Sequence, residues 1–416
     1  MFSINRIYNF SFLLIAIFPI LGLKKAVIPI IIWSFISALI FIKNKNYQFV
    51  SKRDWIAIAM FSMYFWMYVP GLFFSEEPKI ILSFLEKKAA FLLFPLIAIL
   101  NRREILPNML QKSLVLFSAS NITTSVWVWS KIANNGFANT FEEDHFYNPI
   151  IRNYFSDTTE THLPYLGIFY VFSIFILLKL IFENKINGLQ KFFSILGVSI
   201  LLISIVAFSA RMSIFILFIG LIYLFFKFKI SRRHKFILSV FLLLSSLSIL
   251  FLPSSKRRID DLFTNSFQLP SQNQNPEHAN IRFGILNCDI SLIKENFLFG
   301  YDISQTQNLL DQCYSQYQYK GLNDFQQITY NSHNQYFDTI LKWGFLGFLI
   351  FLISIFWQIK NPNKSYQFFF IIILISMLTE NVLDRQAGVL FFTYFNTLFY
   401  LKKESQNLFK KNNYSD

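Results

Sequence analysis

The sequence predicts an all-α polytopic membrane protein of about 12 transmembrane helices with one large helical extracytoplasmic loop. Of its 416 residues, 54% are hydrophobic and only 15% are charged. Apolar runs of helix length recur from end to end, bounded by Lys, Arg, Asn and Pro. One polar stretch of roughly eighty residues interrupts them, too long for an ordinary connection. A soluble core does not absorb that much apolar surface in such long blocks.

The candidate spans, in order, are 7–23, 26–42, 55–73, 80–100, 110–129, 164–180, 192–208, 212–228, 236–252, 339–357, 366–380 and 388–401. The first reads as a retained span, because no small-residue cleavage site precedes Lys24. Basic residues hold loops in the cytoplasm while flanking helices insert. Lys43, Lys45, Lys52 and Arg53 fall in one set of loops with Arg102, Arg103, Lys227, Lys229, Arg232, Arg233, Lys235, Lys402 and Lys403. That places both termini in the cytoplasm and turns residues 130–163 and 253–338 outward. Lys24 and Lys25 sit on the opposite side and make the first hairpin the weakest part of this topology. Three regions follow: helices and short loops over 1–252, the outer loop over 253–338, and closing helices with a tail over 339–416.

The net charge of +14 is what cytoplasmic loops of a membrane protein bring, and no nucleic-acid partner is needed to explain it. The two cysteines, Cys288 and Cys313, both lie in the outer loop. An oxidising compartment would permit a disulfide there, and two free thiols fit the sequence equally well. Within the loop, Ile281, Ile285, Ile290 and Ile293 recur at helical spacing, so 280–296 reads as an amphipathic helix, ended by the turn Phe299-Gly300-Tyr301. Glu142-Glu143-Asp144-His145 is an acidic cluster in the shorter outer loop and reads as a solvated face.

Three basic residues gather at the outer face. Arg211 sits at the hairpin between two apolar runs, Arg282 opens the loop helix, and His333 closes the loop in Asn331-Ser332-His333-Asn334-Gln335-Tyr336. A guanidinium near a membrane is costly to desolvate and is kept where it grips carboxylate or phosphate through paired hydrogen bonds. Taken singly, each has a plainer reading. Arg211 would be an interfacial anchor, Arg282 part of a solvated helix face, and His333 a helix-capping loop residue beside Asn334.

Their contexts resemble the O-antigen ligase and polymerase family of bacterial envelope glycosyltransferases. Asn331 to Phe337, followed by Gly344-Phe345-Leu346-Gly347, is similar to that family's histidine-asparagine-x-tyrosine signature and glycine-bearing helix. Ser209-Ala210-Arg211 resembles its serine-x-arginine hairpin. Arg282 with the turn ending at Gly300 resembles its arginine-led loop helix, although Phe297 and Asp302 stand where the family more often has proline and glycine. Thr161-His162-Leu163-Pro164 and the stretch from Glu380 to Gly388 are further matches.

The resemblance implies transfer of a glycan from an undecaprenyl-pyrophosphate carrier to an acceptor hydroxyl at the periplasmic face of the inner membrane, with inversion and without a metal or cofactor. Arg211 and Arg282 would hold the pyrophosphate, and His333 would take the acceptor proton, since an imidazole ordinarily titrates at roughly 6.5. Asn334, Tyr336, Ser209, His162 and Arg385 are the expected substrate-binding residues. The expected partners are the lipid-linked donor, a lipid A-core or other hydroxyl acceptor, and membrane lipids. Gly344 and Gly347 would let their helix pack closely and hold His333 in place. The reading is of a ligase, with a polymerase or protein O-oligosaccharyltransferase as the alternative. A flippase or transporter is disfavoured, because the charged residues that stand out gather at the outer face and the spans between read as nearly uncharged.

Overall fold

Apolar runs form the helices, and Ser51, Asn187, Asn334 and Asn363 each open one by accepting from its first free backbone amides. The computed structural model describes residues 4–45, 48, 50–136, 149–208, 211–228, 231, 232, 235, 281–315 and 330–412. All regular structure among them is helical. The helices are α1 (Ile4–Ile15), α2 (Phe18–Leu21), α3 (Leu23–Lys43), α4 (Lys52–Trp66), α5 (Gly71–Phe74), α6 (Pro78–Leu100), α7 (Met109–Asn134) and α8 (Pro149–Thr159). They continue with α9 (Leu163–Phe182), α10 (Gly188–Ala207), α11 (Arg211–Lys227), α12 (Ile281–Glu295), α13 (Thr306–Tyr314), α14 (Gln335–Phe356), α15 (Lys364–Ser376) and α16 (Gln386–Asn412). Ser51 and Asp54 form a reciprocal capping box on α4, and Asn187 with Gln190 does the same on α10.

Among the described residues, five stretches are long and apolar enough to cross a membrane: Leu23–Lys43, Lys52–Phe74, Leu163–Phe182, Gly188–Ala207 and Gln335–Phe356. Two shorter apolar helices, Met212–Lys227 and Lys364–Ser376, add to them. The expected first span does not form as one helix. It breaks at Ala16-Ile17 into α1 and α2, with Pro19 in the first turn of α2 and Gly22 closing it, and the 12 residues of α1 rise roughly 18 Å, well short of a hydrocarbon core. The expected span 366–380 ends at Ser376, and 236–252 lies outside the described residues. Helices α6, α7 and α16 have the length but carry polar residues within it, as with Glu86, Lys87 and Lys88 on α6.

The centre is aromatic. Phe117 of α7, Phe169 and Phe172 of α9, and Phe391 and Phe395 of α16 pack with ring centroids 5.0 to 5.7 Å apart. Helix α9 is buried on nearly every side, whereas α3 and α10 turn Ile31, Phe35, Phe192 and Ile203 outward, as lipid-facing helices do. Asn5 and Asn44 donate to Glu104, and Arg102 pairs with Asp54 at 2.6 Å, so the basic loops around Lys43, Arg53 and Arg102 collect at one end of the bundle. His162, Gln335 and Arg385 lie at the opposite end, at the starts of α9, α14 and α16.

At that second end the loop helices lock onto a break in α14. Gly344 has φ +64°, which interrupts the helix and frees backbone groups on either side. The Leu341 carbonyl accepts from Tyr301 N at 2.7 Å, and Phe345 N donates to the Phe297 carbonyl at 2.8 Å. Phe297 stacks on Phe345 with centroids 5.1 Å apart. Gly344 thus acts as a helix break that receives the loop turn, which close packing of an unbroken helix would not have done. The Cys288–Cys313 disulfide, open in the sequence, joins α12 to α13, with Leu292, Leu310 and Leu341 packed around it. Asp302 then ties the loop to the α5–α6 connection, accepting from Ser75 at 2.7 Å and Glu76 N at 2.9 Å. Burial opposes ionisation of Asp302, but the hydrogen bonds from Ser75, Glu76 and Ser304 outweigh it and hold the carboxyl below its usual range.

A Cβ at position 344 would sit 2.1 Å from the Leu298 carbonyl oxygen, in a backbone region that costs side-chain-bearing residues about 1–3 kcal/mol. Gly344→Ala is therefore expected to lower the melting midpoint of the purified protein by several degrees and expose α12 to protease. Gly188→Ala, with nothing within 4 Å, serves as the control and should melt like the wild type.

Candidate active site

The sequence Asn331-Ser332-His333-Asn334 brings the chain from the outer loop into α14 through a tight turn. Asn331 Oδ1 accepts from His333 N at 3.1 Å, and His333 takes φ +46°. A β-carbon-bearing residue in that region is held by its surroundings, which is common where a side chain must be aimed. Asn334 caps α14, its Oδ1 accepting from Tyr336 N at 3.0 Å and Phe337 N at 3.2 Å. The Tyr336 hydroxyl donates to the Leu374 carbonyl at 2.9 Å and ties α14 to α15. That cap oxygen and that hydroxyl are thus engaged within the fold.

His333 points Nδ1 at Glu380 Oε2, 3.5 Å away, and Arg282 Nη2 lies 3.5 Å from Glu380 Oε1. One carboxylate therefore stands between the loop arginine and the loop histidine. Glu380 is nearly buried at 9% exposure and Arg282 is open at 60%, so the guanidinium reaches solvent from the rim. His162, at the start of α9, is a further neighbour of this carboxylate. Crowding by surrounding protein lowers its imidazole pKa, Glu380 opposes that, and Arg385, His333 and Arg152 reinforce it. Arg385 is solvent-exposed beside this group. Arg211 begins α11, its side chain lies outside the described residues, and so do Ser209 and the acidic cluster at 142–145.

The Glu380 loop is held from below. Tyr165 donates to the Asn381 carbonyl at 3.0 Å, and Leu383 N donates to Gln335 Oε1 at 2.7 Å. Asp384 accepts from Tyr64 at 2.9 Å and Tyr68 at 3.2 Å, and pairs with Lys88 at 3.0 Å and Lys342 at 2.7 Å. Lys342 also pairs with Asp338 one turn earlier on α14, at 2.5 Å. Lys88 lies 4.6 Å over the Tyr68 ring. The expectation of nearly uncharged spans is thus overturned: two lysines and two aspartates are enclosed in the bundle, tolerated because each has partners.

Asp289, on α12, is fully buried, and neither of its carboxyl oxygens has a hydrogen-bond partner among the described residues. Desolvation pushes its pKa well above the ordinary carboxyl value, with Asp338 adding to the rise.

Sequence reasoning found His333, Arg282, His162 and Arg385 at this end but assigned no role to Glu380, the residue on which the first two converge. It also passed over Arg152, whose Nη1 donates to the Phe208 carbonyl at 2.5 Å, beside the α10–α11 hairpin that leads to Arg211. Asp338 and Lys342 at i, i+4 inside an apolar run were the signal for the buried network.

Asp384→Asn would leave Lys88 facing a neutral partner and Lys342 with Asp338 alone, and loss of one member of such a network costs about 3–5 kcal/mol. Tyr68→Phe, which removes one hydrogen bond, should cost about 1 kcal/mol. Unfolding of the two variants in denaturant is expected to show this order, and a wild-type midpoint for Asp384→Asn would contradict the network's structural role.

No curated protein matches the chain. Residues 196–352 match the family model described as O-antigen ligase, which bears out the resemblance carried by the histidine motif. The chain thus carries an O-antigen ligase family domain over the stretch that contains Arg282 and His333.

Proposed function

We propose that this protein is an O-antigen ligase. It transfers a glycan from undecaprenyl pyrophosphate to a lipid A-core sugar hydroxyl at the periplasmic face of the inner membrane, with inversion and without a metal. The observation that carries this reading is the convergence of Arg282 and His333 on Glu380 at the end away from the basic loops. The positive-inside rule makes the basic end cytoplasmic. The Cys288–Cys313 bridge beside the site agrees, because such bonds persist in oxidising compartments.

In this mechanism Glu380 orients the imidazole. With Nδ1 turned to the carboxylate, Nε2 is left to accept the proton of the incoming hydroxyl, and Glu380 stabilises the imidazolium that results. The acceptor oxygen bonds to the anomeric carbon from the face opposite the carrier. The bond from that carbon to the pyrophosphate oxygen breaks, and its electron pair leaves with the phosphate. Arg282 and Arg211 offset the growing negative charge through charge-assisted hydrogen bonds. His162 and Arg385 flank the same mouth and fit the donor's polar head. The 3.5 Å separations are those of an unliganded site and would shorten around substrate.

The same chemistry would serve a polymerase or a protein O-oligosaccharyltransferase, which differ in acceptor. Enclosed charges are also a feature of transporters. Here Lys88, Asp338, Lys342 and Asp384 are paired with one another beneath the Glu380 loop, which favours a scaffold role.

His333→Ala, Arg282→Ala and Arg211→Ala proteins are expected to insert at wild-type levels yet leave lipopolysaccharide without attached polymer, while lipid-linked polymer accumulates. Removal of a general base costs about 10²- to 10⁴-fold in rate, enough to empty the capped species. Normal capped lipopolysaccharide with His333→Ala would refute the assignment. In a strain lacking the protein, unattached long chains identify a ligase, single unpolymerised units a polymerase, and unmodified glycoproteins a protein transferase.

A further inference from the structure

Asp289 lies in the seam between the outer helices and the bundle, and the mechanism gives it no task. It stands seven residues beyond Arg282, so the two share one side of α12, the helix that packs on α14. Beside it Ile285, Cys288 and Leu292 are buried with Leu310 and Tyr314 of α13 and Leu341 of α14. The Asp289 side chain is 0% exposed, and neither oxygen has a hydrogen-bond partner among the described residues. From α14 the charge that acts on it is Asp338, a second acid, and from α13 it meets Tyr314, on which Asp311 also acts. Lys342 is already taken by Asp338 at 2.5 Å and Asp384 at 2.7 Å. On α12 itself, Arg282 turns to Glu380, while Lys294 and Glu295 are exposed at the far end.

We propose that Asp289 is a proton-operated latch: with its proton it lets α12 and α13 rest on α14, and without it the two helices lift so that water reaches the carboxylate. An unpaired carboxylate among apolar side chains and beside a like charge is strongly disfavoured, so ionisation and close seating oppose each other. The Cys288–Cys313 bridge makes α12 and α13 move together. Arg282 leaves Glu380 with them, and the latch thereby regulates the site; that consequence rests on the function proposed above, whereas the seating does not. Burial raises the Asp289 pKa in the seated state, and Asp338 adds to the rise. The seated form therefore holds the extra proton. Seating is at its strongest below the ordinary carboxyl value of about 4 and weakens as pH climbs through the raised one. One proton limits the slope to about tenfold in the seating constant per pH unit.

The test is amide hydrogen exchange, read by mass spectrometry on the full-length protein in detergent from about pH 5 to about pH 9. Protection of peptides from 281–295 is expressed relative to peptides of α9 in the same sample, which cancels the intrinsic pH dependence of exchange. In the wild type this ratio should fall as pH rises, by no more than about tenfold per pH unit. In Asp289→Asn, which keeps the shape and cannot ionise, it should stay level at the wild type's low-pH value. An imidazole also changes charge in this range, but His333 is present in both proteins, so the difference between them belongs to Asp289. Should Asp289→Asn fail to fold, His333→Ala, which retains the carboxyl, should still show the wild-type fall. A level ratio in the wild type, or an equal fall in Asp289→Asn, would overturn the proposal. So would recovery at high pH in sodium chloride but not in choline chloride, which would put a metal cation where the proton is placed. The expected pattern in a protein without glycan-transfer activity would uphold the latch and defeat only the function proposed above.

Discussion

Asp384 is the fixed point of this molecule. It accepts hydrogen bonds from two tyrosines of the α4 segment and pairs with lysines of α6 and α14, so three segments of the bundle are tied to one carboxylate. The enclosed charges are costly to desolvate, and such networks are a poor source of net stability compared with apolar packing. What the network provides is register. Lys342 stands two turns along α14 from the residue after Asn334, and Asp384 stands four residues beyond Glu380, so a single set of bonds fixes the histidine turn relative to the Glu380 loop.

A second constraint brings Arg282 to the same place. The outer helices would be free to swing on their connections were they not seated on the α14 break at Gly344, bridged internally by Cys288–Cys313, and clamped through Asp302 to Ser75 and Glu76. The Asp302 carboxylate supplies the last of these ties, accepting from Ser75 and Glu76 N together. The site thus rests on rigid attachments on both sides: the scaffold below Glu380 and the docked loop helix above it.

Much of this was legible in the sequence. Apolar runs located the helices, the basic loops gathered at one end as their spacing implied, and α12 formed at Ile281–Glu295 where isoleucines recur at helical spacing. Glu380 was visible as part of a motif but silent as to role, because its importance lies in pairing with residues 47 and 98 positions away, which local pattern does not encode. The same holds for Lys88 and Asp384, whose partnership spans most of the chain. Gly344 looked like a packing glycine, and its positive φ became apparent only once the partner backbone at Phe297 to Tyr301 was in place. The divided first helix was readable, since Pro19 and Gly22 lie within it, but total hydrophobicity outweighed them.

The central claim is that Glu380 and His333 act as one unit during transfer. A double-mutant cycle on the initial rate of glycan transfer from a purified lipid-linked donor, using Glu380→Gln and His333→Ala, tests it directly. If the carboxylate works by orienting and charging the imidazole, Glu380→Gln slows the wild-type enzyme but costs nothing further once His333 is alanine. Two losses that multiply in the double variant would mean that the groups act independently, and the account built on their contact would be wrong.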